Sequence, residues 1–182
     1  MQQYLDSLGE RAAENAMKIN PSKCKPVRFT RAGVKDPLNY TLGDQFIPEA
    51  SSCKYLGIIL RSDISWVDHV NYTVKKAWKA LHFTMRIFKK GNISTKSLAY
   101  TTLLRPILEY GVACWDPYRE GQILALDRVQ KKAAKSAYHT NESNWETLSQ
   151  RGKISRIRAR FKAYSGERGG RLYVTDYNSP TI

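Results

Sequence analysis

The spacing of apolar residues changes once along this chain, near Leu60, and that change limits the fold to a short β-containing part followed by a longer helical one. Before it, Leu5, Leu8, Ala12 and Ala16 share one face of a helix and Asp6, Glu10 and Glu14 share another. A row of acids at that spacing is a solvated helix face rather than a metal site. Asn20-Pro-Ser ends the helix, and Cys24–Thr30 carries the Val and Phe content of a strand. Gly43-Asp44 separates Tyr40–Leu42 from Gln45–Ile47 by the two residues of a tight hairpin, and Pro48 confines the second arm to an edge. Cys53–Leu60 reads as a mostly apolar strand with Gly57 in its middle.

After Leu60 the period is helical. Ser65 with Asp68 resembles a capping box, and Val70, Val74, Ala77, Leu81, Met85 and Phe88 form a core stripe that Lys89-Lys-Gly91 stops. Ser94 caps a second helix carrying Leu98, Leu104 and Leu108, which Pro106 kinks near Arg105. Ile123, Leu126, Val129, Ala133 and Ala137 face inward from a third. Ser143 and Glu146 suggest another capping box, Gly152 interrupts the helix after it, and Ile154, Ile157, Phe161 and Tyr164 resume the spacing. From Ser165 onward glycine and proline break every period, so a loose tail is expected.

A count of 30 Lys and Arg against 16 Asp and Glu gives a net charge of +14, which a compact chain tolerates best with an anionic partner on its surface. The excess is concentrated. No acidic residue occurs between Val70 and Leu108, where Lys75, Lys76, Lys79, Arg86, Lys89, Lys90, Lys96 and Arg105 all fall. Arg128, Lys131, Lys132 and Lys135 repeat the theme on the third helix, and Arg156, Arg158, Arg160 and Lys162 on the last. One charge run is usually a solvated face, but three helices of one sign point to nucleic-acid phosphates. Trp66, Trp78, Phe83, Trp115 and Tyr118 lie among these charges and are candidates for base stacking, with Trp78 and Trp115 better read as core.

No catalytic constellation accompanies this charge. Two-metal phosphoryl transfer needs carboxylates a few ångströms apart, and the acidic residues include no Asp-Asp or Asp-x-Asp. His69, His82 and His139 have neither ligand spacing nor a partnered nucleophile. Cys24, Cys53 and Cys114 are too scattered for a zinc site or a disulfide framework. Catalytic residues and metal ligands are therefore expected to be absent, and no cofactor is implied for this chain. No apolar run reaches the roughly 18 residues of a membrane span, and no signal peptide follows Met1. The expectation is an intracellular protein of cytoplasm or nucleus, neither secreted nor membrane-bound, of undetermined oligomeric state.

Several segments together resemble a known family. Asn20-Pro-Ser-Lys23, Lys54-Tyr-Leu-Gly57, Ser65-Trp-Val-Asp-His69, Leu104-Arg-Pro-Ile-Leu-Glu-Tyr110 with Trp115, and Leu126-Asp-Arg-Val-Gln-Lys-Lys132 occur in the order and spacing of the post-catalytic part of non-LTR (LINE-type) retrotransposon reverse transcriptases. The resemblance implies an α+β fold: a small β-hairpin palm remnant over residues 1–62, a helical thumb bundle over 63–164, and an aberrant or disordered tail over 165–182. It implies that Lys23 matches the palm lysine thought to protonate pyrophosphate. Lys54, Tyr55, Leu56 and Gly57 would match the primer-grip hairpin. Lys75, Lys76, Lys79, Arg86, Lys89, Lys90, Arg128, Lys131 and Lys132 would contact template-primer RNA or DNA without sequence preference. The family's Tyr-x-Asp-Asp hairpin would precede the first helix, so this chain would be a non-catalytic fragment, with magnesium needed only by the complete enzyme. An independent basic RNA- or DNA-binding module and a protein-interaction bundle are the other readings.

Overall fold

The computed structural model describes residues 2–30, 39–138 and 146–166. It is a mixed α+β structure in which two small antiparallel hairpins precede a run of helices. The chain divides into two compact units, Met1–Tyr72 and Thr73–Ile182.

In the first unit, α1 (Gln2–Glu14) lies against β1 (Tyr40–Leu42), which pairs with β2 (Gln45–Ile47) in the register Tyr40↔Ile47, Leu42↔Gln45. The Gln2 side chain fixes that contact from both sides. Its Nε2 donates to the Thr41 carbonyl at 3.0 Å, and its Oε1 accepts from the Thr41 N–H at 3.1 Å. Ala12, Leu42 and Ile47 are the buried residues there. Gly43 takes a positive φ of 57°, as the first position of a II′-type hairpin turn requires. Pro48 follows β2, outside the ladder.

Two sequence expectations fail in this unit. Cys24–Thr30 is not a strand: Pro26 O accepts from Ala50 N and Thr30 N donates to Ser62 O, isolated bonds that form no ladder. Cys53–Leu60 is not one strand but a hairpin, β3 (Ser52–Tyr55) and β4 (Ile58–Arg61), paired from Ser52↔Arg61 to Tyr55↔Ile58. Leu56 and Gly57 both have positive φ, 45° and 83°, the signature of a type I′ turn. Glycine makes that turn accessible; leucine at the first position is an uncommon occupant.

The step from β4 into α2 (Val67–Ile87) is held by charge. Arg61 bonds Asp63 at 2.9 Å and Asp68 at 2.8 Å, and Asp63 also accepts from the Ser65 N–H. The guanidinium first, and that N–H second, hold the Asp63 carboxyl down at about 2. Asp68 is thus an ion partner rather than half of a capping box, while Ser65 Oγ does accept from the Val67 N–H at 3.4 Å. His69, one turn into α2, is buried and its Nδ1 accepts the Ile59 N–H at 3.3 Å, tying hairpin to helix. Burial pushes its pKa below the ordinary value, since a protonated ring would lose both hydration and the acceptor lone pair.

A pH dependence follows. An unfolded His69 takes up its proton near pH 6.5, before the folded one does. Stability should therefore be flat above that pH and fall as the pH drops from about 6.5 toward the lower folded pKa, where the unfolded chain binds more protons. Urea midpoints between pH 7.5 and 5 measure it. His69→Gln, which keeps an acceptor but does not titrate, should flatten the slope, and an unchanged slope would remove His69 as its source.

The second unit is helical. The buried face of α2 there is Thr73, Ala77, Leu81 and Thr84, with Met85 half-buried and Phe88 half-buried just after the helix. The helix ends where Gly91 N–H bonds Phe88 O. α3 (Ile93–Ala99) is capped by Asn92, whose Oδ1 accepts from Thr95 N–H at 2.8 Å, and not by Ser94; Leu98 is exposed. The predicted kink is a π turn over Tyr100–Leu104, in which Arg105 N–H reaches Tyr100 O five residues back, ahead of α4 (Arg105–Glu109). Pro106 has no N–H to continue an α ladder, and the wider turn before it absorbs the mismatch.

Leu104 and Leu108 are fully buried, as is Val129 on α5 (Glu120–Tyr138), where Leu126, Ala133 and Ala137 also face inward as their spacing predicts. α6 (Leu148–Tyr164) starts on a capping box formed by Thr147 and Gln150; Ser143 lies outside the described residues. Gly152 does not interrupt α6. It is buried where α6 crosses the neighbouring segment, and a Cβ there would sit 3.3 Å from Val112 Cγ2 and 3.2 Å from Arg156 Nη1. The tail expected to be loose falls almost entirely outside the described residues.

Candidate nucleic-acid interface

The outward face of α2 is set by the same periodicity that builds its core. With Ala77, Leu81 and Thr84 turned in, Lys75, Lys79, Phe83 and Arg86 are turned out, all exposed and confined to roughly a quarter of the circumference at about 100° per residue. Lys76 flanks them, and Lys89 and Lys90 continue the charge in the turn after the helix, also exposed. On α5, Arg128, Lys131, Lys132 and Lys135 occupy one exposed face by the same logic.

These cations differ in kind from the paired ones. Among the described residues the ion pairs belong to Arg28, Arg61, Arg105, Arg151 and Arg156, and none of Lys75, Lys76, Lys79, Arg86, Lys89 or Lys90 has a carboxylate within ion-pair distance. Their charge is directed at solvent. Asp127, beside the α5 face, has its pKa raised by burial, against which Lys131 works in the opposite direction.

The β3–β4 hairpin presents its tip, with Tyr55 63% and Leu56 73% exposed. Lys54 is not at the tip's disposal. Its Nζ donates to the Tyr72 hydroxyl at 3.0 Å and lies 4.4 Å from that ring's centroid, a cation–π contact that fastens the hairpin to the start of α2. Tyr72 carried no signal in the sequence beyond its place next to the helix stripe. Lys23 is exposed at the end of a single 3₁₀ turn, Pro21–Lys23, started by Asn20.

Of the aromatics, Trp115 is buried and donates Nε1–H to Tyr110 O at 2.9 Å, while Trp78 is half-buried, edge-on to His82. Trp66 is half-buried against His69, and Phe83 and Tyr118 are the exposed ones, with Arg119 stacked over Tyr118. Phe83 shares a face with the α2 cations.

No group of three or more His, Cys, Asp or Glu that could hold a metal occurs among the described residues. No described helix is long and apolar enough to cross a membrane.

The chain is similar to RNA-directed DNA polymerases of mobile elements. Over 115 residues, 62% of the chain, it is 25% identical to the RNA-directed DNA polymerase from mobile element jockey of Drosophila funebris. Over 120 residues, 64% of the chain, it is 28% identical to the probable RNA-directed DNA polymerase from transposon X-element of Drosophila melanogaster. The aligned parts span 12% and 13% of those proteins. No family model and no solved structure matches the chain.

Proposed function

We propose that this chain is a non-catalytic portion of a retrotransposon RNA-directed DNA polymerase that holds template-primer nucleic acid by its phosphates. In this reading residues 1–62 are a palm remnant, the β3–β4 tip is the primer grip, residues 63–164 are the thumb, and residues 165–182 a tail. Lys23 would have no leaving group to protonate without metal-bound substrate beside it. The observation that carries the reading is the α2 face, where Lys75, Lys79 and Arg86 are exposed, unmatched by carboxylates among the described residues and interleaved with exposed Phe83. Cations so placed meet phosphates spaced along a duplex without reading bases.

The test is the salt dependence of binding to a DNA duplex and an RNA–DNA hybrid. With about four phosphates neutralised, log affinity should fall against log salt with a slope of about −3 to −4, similar for unrelated sequences. Charge reversal of Lys79 and Arg86 should reduce the slope by about two and weaken binding far more than the same reversal of Arg168 and Arg171. Equal losses from both pairs would mean diffuse charge and no organised face. The protein-interaction reading is favoured by one separate feature, the exposed apolar side chains of Ile154, Ile157, Phe161 and Tyr164 on α6.

A further inference from the structure

α6 docks by an unusual face. Past its first turn, Arg151 and Gly152 are buried and Ser155, Arg156 and Ala159 half-buried, so the side turned inward is small and polar. Arg156 fixes it, with Nη2 3.0 Å from Asp116 and Nη1 3.4 Å from the Trp115 carbonyl. The large apolar residues are left on the opposite side. Ile154, Ile157, Phe161 and Tyr164 are 41%, 65%, 63% and 94% exposed, so the helical spacing they carry in the sequence lies on an outward face.

Their spacing of three, four and three residues is a heptad seam, with Ile154 and Phe161 at a and Ile157 and Tyr164 at d. The flanking positions are then Lys153 and Arg160 at g and Arg158 and Ser165 at e, all exposed and three of the four cationic. A seam predicts a helical partner, and its flanks select which helix. A second copy of this chain would set cation against cation at e and g. A lipid surface favours a wide apolar face, whereas this one is narrow. Nucleic acid offers nothing to bury two isoleucines.

We propose that the α6 seam docks a helix of a partner protein whose own a and d positions are apolar and whose e and g positions are Asp or Glu. Two heptads are too short to hold an isolated peptide pair, so the partner helix is one already stabilised within a folded protein. This surface is separate from the α2 face and does not depend on the nucleic-acid reading.

The probe is a side-chain-stapled helix of about three heptads with Leu at a and d and Glu at e and g, its binding to the full chain measured by fluorescence anisotropy near physiological salt. It should bind at least about tenfold more tightly than the same helix with Lys at e and g, or with Ser at a and d. The double variant Ile157→Ser/Phe161→Ser should abolish binding while leaving the circular dichroism and the duplex affinity unchanged, since both side chains are exposed. Arg158→Glu/Arg160→Glu should reverse the preference toward the Lys helix. Equal binding of the Ser helix would reduce the seam to general charge and overturn the proposal. So would self-association lost in the Ile157/Phe161 variant, or seam-dependent binding to anionic vesicles of phosphatidylserine and phosphatidylcholine without binding of the Glu helix.

Discussion

Glu109→Ala should destabilise the helical unit by about 3 kcal/mol, because it strands a buried guanidinium. Arg151 has a side chain only 8% exposed, and its Nε lies 2.6 Å from Glu109 Oε1. Its other contacts are neutral: the Glu146 carbonyl, the Tyr100 hydroxyl at 3.5 Å and Gln130 Oε1 at 3.5 Å. Without the carboxylate these dipoles remain, but no opposite charge offsets the lost hydration. Arg105, bonded to the same oxygen at 2.9 Å, is 43% exposed, so Arg105→Ala should cost only about 0–1 kcal/mol. Replacing Glu109 and Arg151 together by apolar residues of similar size should recover much of the loss, since neither charge is then left alone. Urea unfolding followed by circular dichroism gives the three values, and equal costs for Glu109→Ala and Arg105→Ala would show that Arg151 does not depend on its carboxylate.

That cluster shows where sequence reading stops. Arg151 looked like one more cation on a basic helix, and nothing in its neighbours marked it as buried. What buries it is tertiary: α6 begins against Glu109, 42 residues back, across a gap made close by Gly152. Periodicity identified α2 and α5 because their inward residues are apolar and regularly spaced. On α6 the apolar spacing is as regular but lies outward, because the inward side includes Gly152, Ser155 and Ala159. Small residues give no hydropathy signal.

Turn chemistry behaved similarly. Gly43-Asp44 was legible because glycine at the first position of a two-residue turn is a local rule. Leu56-Gly57 was not legible from the residues themselves, because leucine in a left-handed conformation runs against propensity and the apolar run through it imitates one strand. The family resemblance expected a hairpin there. The α2 cations were legible as a group of one sign, and their exposure follows from the same stripe that sets the core. Engagement of Lys54 by Tyr72 was not, because it joins residues 18 apart through a fold the sequence does not state.

Leu104→Ala should be the most damaging truncation of a single apolar side chain in the helical unit. Leu104 is fully buried at the end of the π turn and lines a small cavity with Leu81, Met85, Phe88, Ala133 and Ala137, where α2, the turn and α5 meet. Deleting its branched end removes contacts on several sides, and the turn cannot close over the gap because Pro106 fixes the backbone just beyond it. The expected cost is about 3–4 kcal/mol, a large part of the stability of a unit this size. The same core orients the α2 face, which separates packing from charge in one experiment. At a temperature where the variant stays folded, duplex affinity should keep its salt slope of about −3 to −4, since every cation remains. On warming, binding should be lost together with the helical circular dichroism signal and at a lower temperature than in the unsubstituted chain. A slope reduced in the folded variant would instead mean that Leu104 sets the direction of the α2 cations even where the helix survives.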